Sequence, residues 1–128
     1  MSGLIVITTV GDEEQALLIA RELVARRLAA CVNVISGMRS VYRWQGKICR
    51  DSEYLLVVKT LSSEYDGVAA AIRELHSYEL PEILAFAASQ GDARFLDWIR
   101  ESVDKSRVVA GADEDDEGDG FDLDDSRF

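Results

Sequence analysis

At 128 residues the chain has room for one domain around a single core, and its 48% hydrophobic and 30% charged residues are ordinary for a globular protein. The formal charge of −10 is concentrated at one end: Gly111 to Phe128 carry nine acidic residues and one basic, while residues 1–110 carry fifteen acidic and thirteen basic. So balanced a body excludes a basic field for nucleic acid, and the lack of any apolar run near about 18 residues excludes a membrane-spanning helix.

Gly3 to Val10 (GLIVITTV) is a β-branched run of strand length, broken by Gly11. Asp12 is placed to cap a helix over Glu13–Leu28, with Gln15 three residues on as in a capping box. Ala16, Leu17, Ala20, Leu23, Val24 and Leu28 form the expected buried face, and Arg26-Arg27 sit in the last turn. Two long strands follow, Ala30–Gln45 and Gly46–Thr60, joined at Gln45-Gly46, with Gly37 expected at a bulge. Sixteen residues of strand reach roughly 50 Å, against a radius of gyration near 13–14 Å for a domain of this size. The hairpin must therefore bend or project, and its outer half carries Val41, Tyr42, Trp44 and Ile48. An exposed apolar arm of this kind predicts self-assembly.

Ser62 or Ser63 can cap a second helix, with Tyr65, Val68, Ala69, Ile72 and Leu75 as its buried stripe. Pro81 ends the helical pattern. Glu82–Ser89 then reads as a fourth strand, and Ala93 to about Val103 as a third helix packed through Phe95, Leu96, Trp98 and Ile99. The order β-α-β-β-α-β followed by a helix predicts an α+β, ferredoxin-like fold with a long central hairpin and an added C-terminal helix. The domain is expected over residues 1–109 and an acidic, disordered tail over 110–128. Asp113, Asp115, Glu117, Gly118, Asp119 and Asp124 fall near the spacing of a calcium loop, yet Gly120 replaces its apolar residue, so a solvated tail is the reading taken.

Cys31 and His76 are the soft-metal candidates, since thiolate and imidazole suit copper and zinc. Each has a plainer alternative: Cys31 as a small buried hydrophobe, His76 as a cap for carbonyls at a helix end. Counting outward from the turn places Cys49 opposite Tyr42 and Cys31 opposite Thr60, so the two cysteines lie roughly 36 Å apart along the ladder and share neither a disulfide nor a metal within one chain. Cys31 and His76 are likewise expected at opposite ends of the sheet, so any site using both draws them from different subunits. Tyr42, Trp44, Lys59, Tyr78 and Glu82 are the candidates for lining a cleft between subunits, with Lys59 as a fixed cation for an anionic ligand. Trimer packing through Trp44 is the other reading of these residues. Phosphate-binding glycine loops, HExxH, GxSxG and CxxC are absent, which predicts a protein that is not an enzyme. Two cysteines without a disulfide framework, and a start (Met1-Ser2-Gly3) that runs straight into a strand, predict a cytoplasmic location.

Three segments in order, RLAACVNVISGMRSVYRWQGKI from Arg27, DSEYLLVVKT from Asp51 and LHSYELPEI from Leu75, resemble the CutA divalent-cation tolerance family over about Ile5 to Ile99. The resemblance implies a ferredoxin-like homotrimer, related in architecture to PII signalling proteins and linked to tolerance of copper and other divalent cations. It also implies a pocket between subunits lined by the motif residues. Two functions follow as alternatives: a tolerance protein holding metal at intersubunit sites, or a PII-like sensor taking a small anion or nucleotide in the cleft.

Overall fold

The structure, a computed structural model, describes residues 2–107. The expectations for the tail over 110–128, including the calcium-loop spacing, lie outside the described residues. In chain order the elements are β1 (Gly3–Val10), α1 (Glu13–Ala25), β2 (Cys31–Trp44), β3 (Lys47–Leu61), α2 (Tyr65–Leu75), β4 (Leu84–Ala87) and α3 (Ala93–Val103). All strand pairings are antiparallel and the sheet order is β2-β3-β1-β4. This is the expected ferredoxin-like arrangement, in which each βαβ unit leaves a gap that a strand of the other unit fills.

Helices α1 and α2 lie on one face of the sheet. Between them and the strands sit Val6, Val10, Ile19, Leu23, Leu56, Val58, Val68 and Ile72, all fully buried. Asp12 caps α1 as its sequence predicts, its carboxylate accepting from the Gln15 N–H at 2.8 Å. The helix ends three residues earlier than its apolar pattern, at Ala25. Leu28 N–H reaches back to Leu23 O and Arg27 N–H to Val24 O, with Arg27 in the left-handed region at φ 56°. That is a Schellman stop with arginine where glycine is usual, and Arg27 is held there by donating to Ser102 O at 3.1 Å. The buried stripe of α1 is Ala16, Ile19 and Leu23, while Leu17 and Val24, expected inside, are about half exposed. The stripe follows the sheet below it, which selects the face centred on Ile19. No side chain caps α2; Ser62–Glu64 instead form a turn of 3-10 helix leading into it. Gly67 has a packing reason, because a Cβ there would sit 2.7 Å from a Leu28 methyl.

The hairpin turns on Gln45 and Gly46, both at positive φ (49° and 78°), the geometry of a two-residue type I′ connection. From that turn inward, Trp44 pairs Lys47 and Tyr42 pairs Cys49, as counted from the sequence. At Ser36-Gly37 two residues oppose the single Tyr54, with Gly37 at φ 81°. This bulge was expected, but its effect on register was not. It shifts the inner ladder by one, so that Cys31 faces Lys59 and not Thr60. It also inverts which side chains share a surface. Cys31, Asn33 and Ile35 lie on the face away from the helices, and beyond the bulge that face continues with Met38, Ser40, Tyr42 and Trp44. Helix α3 covers only the Leu61 end of this open face, through Leu96, Ile99 and Val103.

Candidate functional site

Beyond the cover of α3, the open face carries a cleft of about 940 Å³ between the arm and the segment that follows α2. Its walls include Tyr42, Trp44, Asp51, Glu53, Tyr78 and Glu82. The arm delivers Tyr42 and Trp44 from β2 and Asp51 and Glu53 from β3. Tyr42 and Asp51 are diagonal neighbours across the ladder, since Tyr42 pairs Cys49 and Ser40 pairs Asp51. The Tyr42 hydroxyl donates to the Asp51 carboxylate. That bond, with desolvation second, holds the phenol proton and pushes its pKa up to about 12.

The opposite wall, the segment that follows α2, is held in place by His76. That histidine follows the last residue of α2 with extended backbone, and its N–H still reaches Ile72 O at 2.9 Å. Its ring is buried and spans two elements. Nδ1 accepts the Tyr78 N–H at 3.0 Å, which leaves the proton on Nε2 to donate to Thr9 O of β1 at 2.7 Å. The imidazole thus ties the segment after α2 to the central sheet. Its ring also lies 4.6 Å from that of Tyr78, between centroids. Tyr78, so placed, donates its hydroxyl to Glu53 Oε2 at 2.7 Å. Desolvation and then this bond raise the Tyr78 pKa. Glu53 is only 7% exposed, a buried carboxylate followed directly by the apolar run Tyr54–Val58. Glu82, across the cleft, has its pKa raised by desolvation and then by the charge of Glu53.

Four of the five cleft candidates named from sequence, Tyr42, Trp44, Tyr78 and Glu82, therefore line one cavity. Lys59 does not. It lies six residues along β3 from Glu53, roughly 20 Å away, with its ammonium 5.9 Å from the centre of the Phe95 ring. Cys31, half-buried, pairs with it at the same end. His76, bound to Thr9 O, is four residues along β1 from Ile5, which is level with Lys59. The two metal candidates are thus apart within a chain, as their positions in the topology predicted. Among the described residues no three His, Cys, Asp or Glu side chains converge in a way that would hold a metal ion.

Sequence reasoning passed over Glu53 and Asp51. The alternation of DSEYLLVVKT contains the signal, because Glu53 shares parity with Leu55, Val57 and Lys59 and so falls on a largely apolar surface. Charges there call for partners, and the partner came from a segment 25 residues away.

Comparison with known proteins adds identity to this geometry. The profile of the CutA1 divalent ion tolerance protein family matches residues 4–102. The Divalent-cation tolerance protein CutA of Thermus thermophilus is 45% identical over 77% of this chain and 95% of its own length. Rice Protein CutA 1, chloroplastic, is 35% identical over 81% of this chain, which spans only 59% of that longer relative. The crystal structure of CutA from Xylella fastidiosa superposes with a TM-score of 0.79 at 38% identity, covering 81% of this chain and all of that one. Family profile, sequence identity and superposition agree over the same stretch, which holds the sheet, its helices and the cleft: the chain belongs to the CutA1 divalent ion tolerance protein family.

Proposed function

We propose that the chain works as a homotrimer in tolerance of divalent cations, copper foremost, by binding and not by turning over a substrate. One observation carries this reading. The open face of the sheet is left uncovered past α3, and its exposed residues, Ile35, Tyr42, Trp44, Leu84 and Phe86, run continuously from the domain out along the arm. So much apolar surface on one side of a sheet favours association with further copies, and three is the number that the resemblance of the chain implies. Packing these faces together brings the Cys31 end of one chain within range of the cleft of another.

Metal would be held where chains meet, with the Cys31 thiolate as the soft donor and His76 as its imidazole partner. Coordination through His76 exchanges one of its two present hydrogen bonds for the metal, so binding at this residue is coupled to the position of the Tyr78 segment. Tyr42, Trp44, Tyr78 and Glu82 wall the cleft, and Lys59 enters it from the neighbouring chain. A small anion or nucleotide, as in a PII-like sensor, is the second reading and rests on that Lys59. Asp51, Glu53 and Glu82 on the cleft walls oppose an anion and favour a cation, which is why the cation comes first. Free, half-buried Cys31 and Cys49 fit a reducing compartment, and we place the protein in the cytoplasm on that ground. No helix among the described residues is long and apolar enough to cross a membrane.

Sedimentation equilibrium should give three times the chain mass of 14.2 kDa. Calorimetric titration of that species with copper, zinc and a panel of nucleotides then separates the two readings. Copper binding that persists unchanged in a His76→Ala, Cys31→Ala double variant would remove both residues as ligands, and a monomeric mass would remove the shared site altogether.

A further inference from the structure

The arm has a second surface, on its helix side, that assembly through the open face does not use and that meets the cleft only at Val41 and Arg43. Helices α1 and α2 cover the sheet only as far as Val34 and Tyr54, which pack against the core. Beyond them, on the helix side, the register aligns Arg39 with Ser52, Val41 with Arg50 and Arg43 with Ile48. All six residues are exposed, Val41 at 66% and Ile48 at 60%. Three guanidinium groups thus flank two bare aliphatic side chains, with Arg43 also bordering the lip of the cleft. Arg39, Arg43 and Arg50 have no carboxylate partner among the described residues, whereas Arg26, Arg100, Lys105 and Arg107 all have one. Burying this stripe against its own counterpart in another copy would oppose like charges, so a self-complementary contact does not cover it.

The chain itself contains the matching sequence. Residues 111–128 carry nine acidic groups against one basic, interspersed with Phe121, Leu123 and Phe128. This segment lies beyond the part shared with the family, which ends at residue 102. It departs after Arg107, close to Lys105, whose ammonium bonds Arg27 O and Glu64 at the end of the sheet far from the arm's tip. From Cys31 to Val41 along β2 is roughly 33 Å, while the stretch from residue 108 to Phe121 spans up to about 45 Å when extended. The acidic segment is therefore long enough to reach the stripe.

We propose that the C-terminal segment 111–128 docks on the arm's helix-side stripe, its carboxylates on Arg39, Arg43 and Arg50 and its Phe121 and Leu123 over Val41 and Ile48. Tethering makes the match effective without high intrinsic affinity, because the segment is held at high local concentration. The docked segment neutralises the three guanidinium groups of the stripe.

The test uses the full chain labelled with nitrogen-15. At about 0.1 M salt, amide shifts of residues 113–125 should differ between the parent and an Arg39→Glu, Arg43→Glu, Arg50→Glu variant. Raising the parent to about 1 M salt, where the Debye length falls from about 10 Å to about 3 Å, should move its tail signals toward those of the variant. Arg73→Glu, an exposed charge on α2, should leave them in place. A Phe121→Ser, Leu123→Ser variant, which changes no residue of the stretch shared with the family, should shift the Val41 and Ile48 amides and so reads the contact from the other side. Identical tail shifts in the parent and the triple variant, or an equal response to Arg73→Glu, overturns the proposal. So does binding of nucleic acid or anionic vesicles to the full chain at about 0.1 M salt with the tail signals unmoved, which would assign the stripe to that partner.

Discussion

Replacing Tyr78 by phenylalanine isolates a single hydroxyl. The ring keeps its place against His76, 4.6 Å between centroids, and beside Gly11, so packing is preserved. What is lost is the 2.7 Å bond to Glu53, a carboxylate that is 7% exposed. Hydrogen bonds to charged groups contribute about 1.5–3 kcal/mol, and a buried group left short of a donor costs in the same range. The open cleft beside Glu53 lets water recover part of this, which sets the expected loss near 2 kcal/mol. Urea unfolding at fixed protomer concentration measures it, as a fall in midpoint on the order of 1 M for slopes of about 1–3 kcal/mol/M. Exchanging both partners for apolar groups, Tyr78→Phe with Glu53→Met, should restore most of the stability, because neither polar group is then stranded. An unchanged midpoint in Tyr78→Phe, or a double variant whose loss is the sum of the two singles, would refute the reasoning.

Alkaline titration of the phenols should show a step near pH 12 that disappears in Tyr42→Phe and moves toward the ordinary tyrosine value of 10.0 in Asp51→Asn. Since the folded state holds this proton more tightly than the unfolded state, Tyr42 favours folding below its ordinary value, and that contribution is lost as pH rises through the folded one. Glu82, raised above the carboxylate value of 4.5, follows the same sign. Its contribution is present at low pH and lost as pH rises through its folded value, so Glu82→Gln should gain stability relative to the parent between acid and neutral pH; a constant difference across that range would contradict the assignment. Gly46→Ala places an L-residue at φ 78° with nothing within 4 Å of the new Cβ, so its cost of about 1 kcal/mol should be conformational alone. Gly46→Asn should recover most of it in the same urea assay.

The architecture was legible because each element announces itself locally. GLIVITTV, the Asp12 cap and the Gln45-Gly46 turn each fix a boundary without help from the rest of the chain, and all three stand in the structure. Register was not legible in the same way. Gly37 marked the bulge, but whether one or two residues fall out of step is decided by how β3 pairs with β1, a contact between distant segments. Leu17 and Val24 show the same limit, since the helical period names a wide stripe and only the sheet beneath selects its centre. Tyr42, Trp44, Tyr78 and Glu82 are expected at a cleft between subunits, and they line one cavity within the chain. Lys59 lies at Phe95 within the chain, so a cleft that holds all five residues would take it from a second copy. Glu53 was missed because the donor that makes a buried carboxylate tolerable comes from the Tyr78 segment, far off in sequence.

The one-residue offset at Ser36-Gly37 lies in β2 alone, opposite a β3 that runs without a break. Deleting a single residue there would bring β2 back into step and still leave Tyr42 and Trp44 on the open face, because β3 passes this level unbroken and holds their partners Cys49 and Lys47 on that side. The hydrophobic interior ends before that position, at Val34 and Tyr54, and would not register the change. Folding and company-keeping are thus written in adjoining lengths of the same ribbon, divided by a joint two residues wide. Variation can retune the outer length while the inner one goes on specifying the domain.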